Sequence, residues 1–162
     1  MVRRRMFRKL LAGLAGGISL NLAMVLTFRL LGFGWQGGGL LLDPSLQNPK
    51  LIAVWTTLEP LPLVVSNPAP IFLGLLLFGL GHALIYAWLA PHWPPGIISR
   101  GGRMALLIFF LSFGFWEFFT PFNQFGEPVL LIGLELLFWA VIAATEGLVL
   151  AAVFEAGGGP GA

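Results

Sequence analysis

From Leu10 to Leu31 the chain is almost wholly apolar, with Asn21 and Arg29 as its strongly polar interruptions, and comparable runs recur three more times before the C-terminus. Helical residues rise about 1.5 Å each, so a run of this length matches a hydrocarbon core roughly 30 Å thick. In hydrocarbon every backbone N–H and C=O must be satisfied by the chain itself, which leaves helices or closed barrels. The runs are continuous rather than the short alternating segments of a barrel. The expected fold class is therefore all-α, a polytopic membrane protein built as a four-transmembrane-helix bundle. Composition agrees: 57% of residues are hydrophobic and 10% charged, against about 25% charged in soluble domains.

The spans expected are 10–31, 70–90, 104–119 and 128–154, with residues 1–156 forming a single bundle and 157–162 a flexible Gly-rich tail. The segment Arg4-Arg5-Met6-Phe7 resembles a twin-arginine export signal, but the apolar run is too long for the core of a signal peptide and no small-x-small cleavage site follows it. The first run is thus read as a retained span. The loop 32–69 opens with Gly32, Gly34, Gly37, Gly38 and Gly39, which favour irregular backbone. Within it Leu51, Trp55 and Leu58 fall at helical spacing before Glu59-Pro60-Leu61-Pro62 breaks the pattern, which suggests a short interfacial or re-entrant helix between spans one and two.

A net charge of +2 and basic pI bring nucleic acid to mind, but the basic residues flank apolar runs and form no patch. They are read as topology, with the lipid bilayer as partner and no nucleic acid. With four spans, Arg3, Arg4, Arg5, Arg8, Lys9, Arg100 and Arg103, seven of the nine basic residues, share one side. Positive charge is retained in the cytoplasm, so both termini are expected there, in a bacterial or archaeal plasma (inner) membrane. A fifth span through residues 51–65 would move Arg100 and Arg103 outside. Small residues recur every fourth position at Gly13 and Gly17, at Gly79, Ala83 and Ala87, and at Ala143, Gly147 and Ala151. Such stripes let helix backbones approach, within one chain or in a homo-oligomer.

Ionisable groups inside a membrane are functional candidates because they are costly there. Glu117 and Glu135 are expected roughly 10 Å below the outer face and Arg29 near that face. Two carboxyl groups opposite one guanidinium suggest a site that carries a proton or binds a cation; the competing reading has Arg29 bridging both acids to lock the bundle. Glu135, Trp139, Ile142 and Glu146 share one helical face, with the two acids about 16 Å apart. His82 and Asn21 near mid-membrane would then be relay partners along a polar path, unless Glu146 pairs with Arg100, Arg103 or the N-terminal arginines, or His82 is simply hydrogen-bonded across helices. The aromatic segment Phe118 to Pro128, with Glu59, Asn123, Gln124 and Glu127, suggests an outer pocket for a lipid or quinone head group, or else a short connection anchored by aromatics.

The absence of cysteine excludes disulfides, thiol nucleophiles and thiolate metal sites. No spacing motif supports a metal, a phosphate-binding loop or a serine hydrolase, so no catalytic residue is assigned and the cofactor stays unknown. The leading expectation is a multi-pass membrane protein moving protons, cations or a small solute. Its rivals are an accessory or assembly subunit of a larger membrane complex, and a lipid- or quinone-binding enzyme or redox protein.

Overall fold

A computed structural model describes residues 2–156, with side chains from Met6 onward; the tail 157–162 and the side chains of Arg3, Arg4 and Arg5 lie outside the described residues. Among the described residues the chain is all-helical. Helix α1 (Val2–Met24) runs on through wider π-helical turns at Val25–Gly32. Two short helices, α2 (Pro49–Thr56) and α3 (Leu63–Ser66), precede α4 (Ala69–Leu89). Helix α5 starts at Ile97–Ile108 and continues through π-helical stretches at Phe109–Gly114 and Phe118–Phe122 as far as Phe125. After one turn, α6 covers Val129–Ala156. Four segments, Met6–Gly32, Ala69–His92, Ile97–Phe125 and Val129–Ala156, are long and apolar enough to cross a membrane.

The third of these is longer than the 104–119 expected from sequence. At its start, Gly96 adopts a φ of 112°, where glycine is favoured, and the helix begins directly after it, taking Arg100 and Arg103 into regular structure. At its far end, Pro121 lacks an N–H and its ring would strike the Glu117 carbonyl in a regular α-helix. The π-helical turn around it widens the spiral there. The expected aromatic loop from Phe118 is therefore helix up to Phe125. The turn proper is Gly126-Glu127-Pro128, with Gly126 left-handed at φ 65°.

The four long helices run up, down, up, down, and pack side by side in the order α4, α1, α6, α5. Backbone contact between glycines fixes two of these pairings. A Cβ on Gly13 would stand 2.7 Å from Leu80 Cα, one on Gly17 2.9 Å from Leu76 Cα, and one on Gly79 2.6 Å from the Gly13 oxygen. On the other side of the bundle, a Cβ on Gly147 would lie 2.8 Å from Ala105 N and one on Gly101 3.0 Å from Leu148 Cα. The small-residue stripes thus serve packing within the chain, and Gly101, which lies before the expected third span, is the partner of Gly147.

Helices α1 and α6 form the middle of the row and are the more deeply buried, whereas α4 and α5 leave most of their surface open. The core follows from this arrangement. Tyr86, Met104, Leu150 and Phe154 fill one end, and Leu20, Phe28, Phe138 and Ile142 the other. Neither α2 nor α3 is long enough to cross 30 Å. Instead α2 and the residues before it cover the end of the bundle next to the α5–α6 turn. The Asn48 side chain donates to the Phe125 carbonyl at 3.1 Å, Lys50 Nζ to the Gln124 carbonyl at 3.2 Å, and Trp55 packs on Phe33.

Alanine at Gly79 or Gly147 forces backbones apart and is expected to cost about 1–3 kcal/mol or more. Alanine at Gly74 or Gly81, where an added Cβ meets nothing within 4 Å, is expected to be neutral or mildly stabilising. Thermal unfolding in detergent checks the contrast; equal losses at all four positions would contradict it.

Candidate functional site

Three acids converge at the end of the bundle capped by α2. Glu117 comes from α5 between its two π-helical stretches, Glu127 from the α5–α6 turn, and Glu135 from the second turn of α6. One carboxylate oxygen of each lies within 4.8 Å of the other two. All three are buried, Glu117 wholly, Glu127 to 4% exposure and Glu135 to 9%.

The first and second of these carboxyl groups are held by neutral donors. Trp139 Nε1, one turn after Glu135 on α6, donates to Glu117 Oε2 at 2.7 Å. Its indole is clamped by Phe113, stacked at 4.3 Å, and by Phe28 at 4.5 Å. Gln47, from the loop before α2, donates through Nε2 to Glu127 Oε1 at 2.5 Å, while its own oxygen accepts from the Asn48 N–H. Glu117 Oε1 is buried without a hydrogen-bond partner.

Arg29 does not bridge these acids, contrary to the reading of it as their counter-ion. It lies on the exposed side of α1 and donates to the carbonyls of Gly34 and Trp35, with the Trp35 ring 5.6 Å below the guanidinium. The reason is local. Close to the end of its helix, a long cationic side chain reaches the carbonyls of the glycine turn more cheaply than it enters the apolar bundle. Lys50 is likewise engaged with Gln124, His82 with Glu146 and Arg100 with Glu155.

Like charges this close cannot all persist. At an effective dielectric constant of about 20, two unit charges 4.8 Å apart repel by about 3–4 kcal/mol, so three bare carboxylates would rival the roughly 5–15 kcal/mol that stabilises a whole domain. The arrangement demands positive charge, as protons or as a cation.

A second buried site lies deeper along α6. His82 Nδ1 of α4 and Glu146 Oε1 are 2.9 Å apart, with Glu146 wholly buried. Glu146 pairs with neither Arg100 nor Arg103, because Arg100 lies level with Glu155, about 14 Å further along the helix, and bonds that residue at 2.5 Å. The face carrying Glu135, Trp139, Ile142 and Glu146 does turn into the bundle, yet fully buried Ile142 separates the two polar sites. Asn21 joins neither: its amide nitrogen donates to the Gly17 and Phe72 carbonyls.

The outer-loop residues are dispersed. Glu59 is exposed and accepts from the Leu61 N–H; Asn123 and Gln124 are exposed on the last turn of α5. Glu127 alone of that set belongs to the cluster. Sequence reasoning missed Gln47 and the role of Trp139. Trp139 carried a signal, since an indole N–H deep in an apolar helix needs an acceptor, and Glu135 is one turn away on the same face. Gln47 carried none: it is 80 positions from Glu127.

Burial raises the pKa of Glu127 above the usual carboxylate range; the Gln47 hydrogen bond opposes the shift and the nearby Glu117 charge adds to it. A raised folded pKa means the folded chain holds its proton longer than the unfolded one. The resulting instability is therefore absent in acid and grows as pH rises from the unfolded value through the folded one. Glu127→Gln keeps an acceptor for Gln47 without the charge. With divalent cations removed, it is expected to match the unaltered chain in acid and to melt higher as pH rises; superimposable melting profiles would contradict this. No known protein family, curated protein or solved structure matches the chain, so the chemistry of the site rests on its own geometry.

Proposed function

We propose that this chain is a multi-pass integral membrane protein of the plasma membrane with both termini cytoplasmic, whose outer-leaflet acid cluster takes up positive charge, protons or a cation, in the service of its movement. Insertion is supported by rows of large apolar side chains left exposed at helical spacing, such as Leu14, Ile18, Leu22 and Leu26 on α1, which are 44–60% exposed. In water such surfaces would exceed what soluble monomers show. Orientation is supported by the placement of seven of nine basic residues at one end.

The observation that carries the functional reading is the gathering of Glu117, Glu127 and Glu135 within 4.8 Å, while the nearby cations Arg29 and Lys50 bond backbone carbonyls instead. Evenly apolar packing would have met the demands of stability at lower cost. Retaining three acids where each must be neutralised points to a task that uses the neutralising charge.

A second reading, an accessory subunit of a larger membrane complex, is favoured by α5. It is the least buried of the four long helices and presents Phe110, Leu111, Phe115 and Trp116 outward. Flux of protons and cations in proteoliposomes separates the two. Glu117→Gln and Glu135→Gln are expected to remove flux while the bundle stays folded. Unchanged flux together with lowered thermal stability, or a partner retained through purification in mild detergent, would favour the accessory role.

A further inference from the structure

The acid cluster contains more than charge. Glu117 is wholly buried, and its two oxygens are treated differently: Oε2 is fixed by the Trp139 indole at 2.7 Å, whereas Oε1 is buried with no hydrogen-bond partner. A buried carboxylate oxygen without a donor is expensive, and a proton shared with a neighbouring acid or a bound ion relieves the cost. This one belongs to a set of three carboxyl groups, each offering an oxygen within 4.8 Å of the others.

That spacing has a chemical meaning. Oxygens bound to Ca²⁺ lie about 2.3–2.6 Å from the ion, so two on opposite sides stand roughly 4.6–5.2 Å apart and neighbouring ones closer. Mg²⁺, with ligands at about 2.0–2.1 Å, brings opposite oxygens to roughly 4.2 Å or less and demands near-octahedral geometry. Three carboxylate donors from a helix, a turn and a second helix suit the larger and more tolerant ion. The donors are all oxygen. Cysteine is absent, and His82 is engaged with Glu146, so nothing at the site favours a softer metal. The surrounding shell is ordered as in a binding site: Trp139 aims Glu117, and buried Gln47 aims Glu127.

We infer that Glu117, Glu127 and Glu135 bind one hard divalent cation, Ca²⁺ in preference to Mg²⁺, with Gln47 and Trp139 as positioning residues. This rests on the reading of the cluster as a site that takes up positive charge, and names the charge. Binding ties the α5–α6 turn to both helices and, through Gln47, to the loop leading into α2.

The test is equilibrium dialysis of CaCl₂ and MgCl₂ against the full chain in lipid nanodiscs, after treatment with chelator. Expected is one Ca²⁺ per chain, with a dissociation constant on the order of 10⁻³ M or tighter, and Mg²⁺ bound at least about tenfold more weakly. Glu127→Gln and Glu135→Gln should each weaken Ca²⁺ binding by about tenfold or more, Gln47→Leu by about tenfold, and Glu146→Gln not at all. Because the unaltered chain supplies the primary result, a variant that fails to fold leaves the test intact. No saturable Ca²⁺ binding by the unaltered chain overturns the inference, as does binding indifferent to the three acids. If Ca²⁺ fails to bind while Glu117→Gln and Glu135→Gln still abolish proton flux, the cation assignment falls and the charge-accepting site stands; if both results are negative, both fall.

Discussion

The bundle depends on backbone approaching backbone at two glycine crossings. Gly13, Gly17 and Gly79 bring α1 against α4, and Gly101 and Gly147 bring α5 against α6. For helices this apolar, read as a membrane bundle, lipid leaves little hydrophobic force to gain between them, so close van der Waals contact must supply much of the association. These crossings also fix how each helix is rotated. With Gly147 turned toward α5, Glu135, Ile142 and Glu146 of the same helix are turned into the bundle, where all three are buried.

What the packing encloses is uneven in polarity. Near the capped end lie three acids, of which Glu117 accepts from an indole and Glu127 from an amide. Deeper along α6, Glu146 meets His82. The two sites are separated by Ile142 and the aromatic packing around Trp139, so among the described residues they stand as two distinct polar stations. In the His82–Glu146 pair a carboxyl group meets an imidazole rather than another acid. The acid cluster cannot balance its charge from its bonded neighbours, and this difference makes it the site that needs something from outside.

Much of the fold was legible in the chain because long apolar runs and small-residue spacing leave few ways to pack. The lengths of the apolar runs placed four helices, and the four-residue spacing of small residues marked faces that do pack closely. Depth along the helices put Glu117 and Glu135 at one level, and their rotation toward a common point came from the packing. The fate of Arg29 was not legible, because depth along a helix says nothing about rotation around it, and the π-helical turns at Val25–Gly32 alter that rotation. The length of α5 was missed for a related reason: the apolar run alone bounded the span at 104–119, whereas a widened turn at Pro121 and a glycine cap at Gly96 carried the helix beyond both ends. Gln47 depended on the path of a loop, which no periodicity records.

The central claim is that the acid cluster takes its neutralising charge from outside the chain and not from Arg29. The most direct measurement is the positive charge bound per chain near neutral pH in lipid nanodiscs, protons and cations counted together, for the unaltered chain and for Arg29→Gln. If Arg29 serves only the carbonyls of Gly34 and Trp35, the two uptakes are equal. Uptake of one additional positive charge by Arg29→Gln would identify the guanidinium as the missing counter-ion and contradict the claim.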